Sequence, residues 1–234
     1  MWSRKELKTS AKQLLKLNYW KAVVVGIVLS FLQVSGTASG SNAAKDSDLS
    51  STLASLDHGS LVMAIRVIWI AIAVSAIIHL VLKILLWNPL EVGCQKFYLN
   101  CKTGNSKMKD MLFAFKNRYA HVGVVMLFRA IFTFLWGLLL IIPGIVKSYE
   151  YMMIPYILAD DPSISRKDAF AQSKAMMQGN KWSAFVLDLS FIGWILLSLV
   201  TLGLVGIFYA EPYMNLTHAE LYYSLKGQRA TMAD

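Results

Sequence analysis

The sequence predicts an all-α fold: a polytopic transmembrane helical bundle of about six spans, arranged as three tandem hairpins, each preceded by a cytoplasmic amphipathic helix. Three observations carry that expectation. Of the 234 residues, 56% are hydrophobic and only 16% charged, with a mean hydropathy of +0.49, whereas a soluble domain carries about 25% charge. Several apolar runs approach the ~20 residues that a bilayer requires. A short amphipathic stretch ending in Asn-x-aromatic recurs ahead of those runs.

Residues 1–18 read as an interfacial helix, because Leu7, Ala11, Leu14 and Leu15 fall at i, i+4, i+7 and i+8 with lysines opposite. Tyr19–Val34 is the first apolar run. A basic start, an apolar core from Ala22 to Val34 and small residues near Ala38 also fit a cleaved signal peptide. The long patterned helix ahead of that core argues for retention. Residues 35–60 are rich in Ser, Gly and Ala, a solvated outer loop. Leu61–Trp87 is long enough to span with tilt.

Tyr119–Ile142 and Ile145–Ala159 make the second hairpin. Its return run is short, so a re-entrant segment and five spans remain the alternative. Ser165 with Asp168 three residues later forms a capping box opening an amphipathic helix over 163–178. Trp182–Leu202 and Leu204–Tyr223 make the last hairpin, and 228–234 a cytoplasmic tail. The whole of 1–234 reads as a single integral membrane domain.

Orientation follows from Lys and Arg, which crowd residues 1–21, 88–118 and 159–181, while 35–60 holds one Lys and three Asp. Both termini are therefore expected in the cytoplasm of a cell whose plasma membrane the chain crosses. The net charge of +9 sits beside apolar runs, which points to anionic lipid headgroups and away from nucleic acid. The expected partners are the bilayer and those headgroups, together with an unidentified membrane protein or a second copy of the chain.

The repeat is visible in register. Relative to Asn18 the apolar positions are −11, −7, −4 and −3; relative to Asn180 they are Ala169, Ser173, Met176 and Met177, with Ser173 the weak member. Trp20 and Trp182 follow those asparagines by two, and Tyr119 follows Asn117 likewise. These three rings read as anchors at headgroup depth. The returning runs carry Asn88-Pro89, Pro155-Tyr156 and Glu211-Pro212-Tyr213.

Three stretches, "IPGIVKSYEYMMIPYILADDP", "SKAMMQGNKWSAFVLDLSFIGW" and "EPYMNLTHAELYYSL", give the chain a family resemblance. It resembles an uncharacterised family of bacterial integral membrane proteins, domain of unknown function number 975, from "SRKELK" at the N-terminus to Leu225. The resemblance implies a bacterial membrane protein and carries no activity, cofactor or catalytic residue with it.

The residues themselves show no signature of catalysis. There is no His-Glu-x-x-His, nucleophile elbow, phosphate-binding loop or dinucleotide fingerprint, and the four histidines are scattered. The expectation is a non-enzymatic protein without catalytic, cofactor-binding or metal residues. Cys94 and Cys101 share a helix face and read as reduced core cysteines. Met152, Met153, Met176 and Met177 read as packing, and Asp160-Asp161-Pro162 as a helix start.

The intramembrane charges are more informative: Arg66, His79, Lys83, Arg129, Glu150, Asp188 and Glu211 all fall within the proposed spans. Each costs about 2.5–3.5 kcal/mol at a helix centre, so each needs a partner or water. Asp188 lies about 9 Å past Trp182, and His79 and Lys83 about 12 and 6 Å from Trp87. That depth pairs Asp188 with His79 and Lys83, and Glu150 and Glu211 with Arg66 and Arg129. Such a network either holds helices together or lines a path for a proton, an ion or a small solute. The first function it offers is a transporter-like, channel-like or accessory protein. The second is a membrane-organising or interaction protein working through its basic amphipathic helices.

Overall fold

The computed structural model describes residues 2–34 and 58–233; the segment 35–57, most of the expected outer loop, and the side chain of His79 lie outside the described residues. Among the described residues all regular secondary structure is helical. α1 (Arg4–Val34) fuses the amphipathic stretch and the first apolar run, with a kink at Asn18 where φ is −124° and ψ 22°. α2 (His58–Leu82) runs into a π-helical turn, Lys83–Trp87, and then α3 (Asn88–Lys102). A 3-10 turn, Met108–Leu112, and the short α4 (Phe113–Lys116) precede α5 (Tyr119–Leu139) and α6 (Ile141–Glu150). α7 (Ile154–Asp160), α8 (Arg166–Met177), α9 (Lys181–Leu189) and α10 (Ile192–Val200) follow. A second π-helical turn, Gly206–Ala210, leads into α11 (Glu211–Ala233).

Two zones emerge from burial. The packed base is made by α1, α3, α7 and α11: α1 lies along α11, and α3 touches α1, α7 and α11. Tyr98, Phe97, Ile154, Ile157, Tyr213, Tyr222 and Leu29 are its largest closed-off side chains. Outside it lie exposed apolar side chains, such as Met63, Trp69 and Ile70 on α2, Phe134, Leu138 and Ile142 across α5 and α6, and Leu196, Val200 and Leu202 at and past α10, while Phe191 is buried. A continuous apolar surface of that extent fits lipid rather than water.

Each returning helix opens at its proline for the same reason. Proline has no N–H for the carbonyl four residues back, and its ring crowds that carbonyl. The chain answers ahead of α3 and α11 with a widened turn, in which Asn88 N–H bonds the Lys83 carbonyl and Glu211 N–H the Gly206 carbonyl, five residues back. Ahead of Pro155 it breaks the helix altogether, at 151–153.

Close approaches need glycine in two places. The 3-10 turn crosses α3 at Gly93, where a Cβ would lie 1.8 Å from the Met111 carbonyl oxygen. In the α5–α6 hairpin, which reverses at an extended Leu140 (φ −157°, ψ 140°), a Cβ on Gly144 would lie 2.6 Å from Gly137 Cα.

Three of the six apolar runs are long and apolar enough, as described, to cross a membrane: Ile65–Lys102, Tyr119–Leu139 and Lys181–Val200. The run expected over Ile145–Ala159 is split between α6 and α7, and the last turns inward, with α11 buried through most of its length. The run expected as Trp182–Leu202 breaks between α9 and α10, where the hydroxyl of Ser190 turns back to the Leu187 carbonyl at 2.5 Å.

Candidate functional site

The repeated unit has a physical hinge. At Asn18, Asn117 and Asn180 the side-chain amide donates to the carbonyl four residues earlier: to Leu14 at 3.3 Å, Phe113 at 2.9 Å and Met176 at 3.1 Å. The last carbonyls of a helix have few N–H partners, and each asparagine side chain adds a donor there, at Phe113 beside the backbone N–H of Asn117. The expected face is buried in the third unit, where Ala169, Ser173, Met176 and Met177 all face inward. The Ser173 hydroxyl is satisfied by the Glu150 carbonyl at 2.7 Å. In the first unit Leu7, Ala11 and Leu15 are buried. Ser165 caps α8 as expected, its hydroxyl oxygen accepting from Asp168 N–H at 3.1 Å.

Two of the hinges also receive a donor from elsewhere in the chain. Trp2 Nε1 donates to Asn180 Oδ1 and the Ser106 hydroxyl to Asn18 Oδ1, each at 2.9 Å. Lys8 reaches the Ser190 carbonyl at 3.1 Å, with its ammonium 4.1 Å from the Phe191 ring centroid. Burial, then the neighbouring Lys12 and Arg4, hold the Lys8 amine below its ordinary value.

Asp188, Glu150, Arg129 and Glu211 form different partnerships from those expected. Asp188 accepts from the Tyr149 hydroxyl at 2.9 Å and lies 2.7 Å from His218 Nε2. Its neighbours are thus on α6 and α11 rather than on the helix of His79 and Lys83. Glu150, buried at the end of α6, takes Lys147 Nζ at 2.8 Å and Lys181 Nζ at 2.5 Å. Arg129 pairs with Glu91 at 2.9 Å, a residue absent from the expected network. Glu211 makes no ion pair among the described residues; the Asn215 amide donates to its backbone carbonyl at 2.9 Å and to its carboxylate at 3.5 Å.

Arg66 and Lys83 are exposed and make no ion pair among the described residues. The partners differ from those that depth along straight helices pairs, because α6 ends at Glu150, α9 ends at Leu189 and the return helices fold inward. Two of the missed partners had a signal in the sequence: Glu91 lies two residues past Pro89, and His218 on the most motif-rich return helix. Of the aromatic anchors, Trp20 and Trp182 are both 73% exposed. Tyr119 is half-buried and donates to the Leu85 carbonyl at 2.5 Å.

The Arg129–Glu91 pair borders a cleft of about 370 Å³, lined also by Lys83, Asn88, Thr133 and Ser148. Asp160 ties α7 to α11 through Tyr222, at 3.0 Å, and Lys226. Asp161 accepts from the hydroxyl and the N–H of Ser163, which hold its carboxyl below the ordinary value. Cys94 and Cys101 are buried free thiols. Among the described residues no three His, Cys, Asp or Glu side chains converge as a metal-binding set.

Fold and site together define an all-helical protein with three apolar helices of membrane-spanning length. Residues 119–229, just under half of the chain, match the model of the family described as protein of unknown function (DUF975). The match begins at Tyr119 and so leaves Asn18 and Asn117 outside while taking in Asn180. No curated protein and no solved structure matches the chain.

Proposed function

We propose that the chain is a non-enzymatic, multi-pass protein of the bacterial plasma membrane, both termini cytoplasmic, acting as a transporter-like, channel-like or accessory protein. The observation that supports this is the cleft at Arg129 and Glu91. Asp188 takes donors from two other helices and Glu150 takes Lys181 from another helix beside Lys147 from its own, so both serve as locks between elements. Arg129, Glu91 and Lys83 instead border open space of about 370 Å³, and ionisable groups beside a cavity are the usual mark of an ion or solute path. The test is flux of protons and small ions in proteoliposomes. Arg129→Gln and Glu91→Gln should each abolish what wild type carries, and wild type without flux ends this reading.

A second reading, a membrane-organising or interaction protein, draws on the docked N-terminal helix. Its basic face and the locked charges suit a scaffold that holds lipid, a partner protein or a second copy. Reversing Lys5, Lys12 and Lys16 should then remove function while insertion persists.

A further inference from the structure

We infer that α1 and the second π-helical turn form a discrete site for the phosphate headgroup of an anionic phospholipid, at Lys12, Lys16, Tyr19 and Tyr209. It rests on the membrane reading of the fold and names a ligand for the basic face of α1.

The site is a cleft of about 300 Å³ lined by Lys12, Leu15, Lys16, Tyr19 and Tyr209. Lys12, Leu15 and Lys16 fall at i, i+3 and i+4, one face of the helix, and Tyr19 follows the kink at Asn18. The lining therefore carries two ammonium groups and no acid. Neither lysine has a carboxylate partner among the described residues, and neither phenol makes a hydrogen bond there. Two lysines and two tyrosines thus line a mostly apolar cleft that holds no acid, with the Lys12 ammonium 5.8 Å from the Tyr213 ring centroid; a phosphate would supply the missing acceptor of opposite charge. The Tyr209 ring is held by Trp194, 4.6 Å between centroids, so its hydroxyl has a fixed position.

Free phosphate shares this chemistry, and the surroundings decide between the sources. Immediately past the lysines α1 presents Leu17, Trp20, Val24 and Ile27, exposed by 80%, 73%, 45% and 40%. The kink at Asn18 sets Leu17 apart; beyond it Trp20, Val24 and Ile27, at i, i+4 and i+7, make one apolar strip further along the helix. Charge at one end and a strip for hydrocarbon beyond it fit an amphiphile with an anionic head. A choline headgroup fits poorly, because its ammonium would meet the two lysines.

The experiment is native mass spectrometry of the full chain in detergent, titrated with phosphatidylglycerol or phosphatidylcholine. Wild type should retain one equivalent of phosphatidylglycerol. Lys12→Gln with Lys16→Gln should weaken that retention roughly tenfold or more. Lys5→Gln with Lys167→Gln, removing the same charge elsewhere, should leave it unchanged. Equal loss in both double variants, or none in the first, overturns the site. Displacement of the lipid by an equal concentration of glycerol phosphate or inorganic phosphate overturns the lipid as its source. Carbonate extraction of cell membranes separates the two layers of the argument: a chain that washes off fails the membrane reading, whereas a chain that stays but retains no lipid fails this site alone.

Discussion

The hydroxyl of Tyr119 donates to the carbonyl of Leu85 at 2.5 Å, and Leu85 lies four residues before Pro89. That carbonyl is the one to which the proline has no N–H to return. The first residue of α5 thereby compensates the backbone where the preceding hairpin turns inward, so the ring expected to serve as a lipid anchor also joins two units. Tyr119→Phe keeps the ring and removes the bond, and should lower stability by about 1 kcal/mol in detergent-solubilised protein. A thermal midpoint equal to wild type would show the contact to be idle.

Glu150 holds two lysines on different helices, so its removal should be costly and partly recoverable. Glu150→Gln leaves Lys147 and Lys181 side by side without a carboxylate, at a cost of about 1–3 kcal/mol. Adding Lys181→Met should restore part of that loss, since an unpaired charge costs more than an absent pair. Additive losses in the double variant would contradict the lock.

Gly93 allows the 3-10 turn to cross α3, and an added methyl would lie 1.8 Å from the Met111 carbonyl oxygen. Backbone must move to accept it, so Gly93→Ala should cost about 1–3 kcal/mol or prevent folding. Gly193→Ala in α10, with nothing within 4 Å of the new atom, should be neutral or slightly stabilising. Comparison of folded yield and midpoint for the two variants decides the matter.

Asp161 supplies a pH dependence whose sign can be worked out. Hydrogen bonds from Ser163 lower its folded-state value beneath the ordinary 3.8, so the unfolded chain binds its proton more tightly. The stabilisation is complete above the ordinary value and is lost as pH falls through the folded one. Wild type should therefore lose more thermal stability than Asp161→Asn between about pH 5 and pH 2. Identical slopes would remove Asp161 as the cause.

Helix content, the asparagine turns at 18, 117 and 180 and the buried positions Leu7, Ala11, Leu15, Ala169, Ser173, Met176 and Met177 were legible in the sequence, because each depends on spacing within one helix. Ala11 and Leu15, or Ala169 and Met176, point the same way whatever surrounds them. The prolines at 89, 155 and 212 marked the return helices for the same local reason. Which charge meets which was not legible. Asp188 meets His218, thirty residues on, and Arg129 meets Glu91, thirty-eight back; no periodicity within a helix encodes a contact between helices.

The sequence by itself determined an apolar, all-helical chain with a repeated hinge, since composition and period act along the chain. Only the tertiary structure decided that the return helices α3, α7 and α11 turn inward to make a packed base while the apolar hairpins stand out from it. That choice is made by burial of Tyr98, Tyr213 and Tyr222 against one another's helices. It brings Asp188 to His218, Glu150 to Lys181 and Arg129 to Glu91, because a buried charge settles beside whichever counter-charge the packing carries within reach.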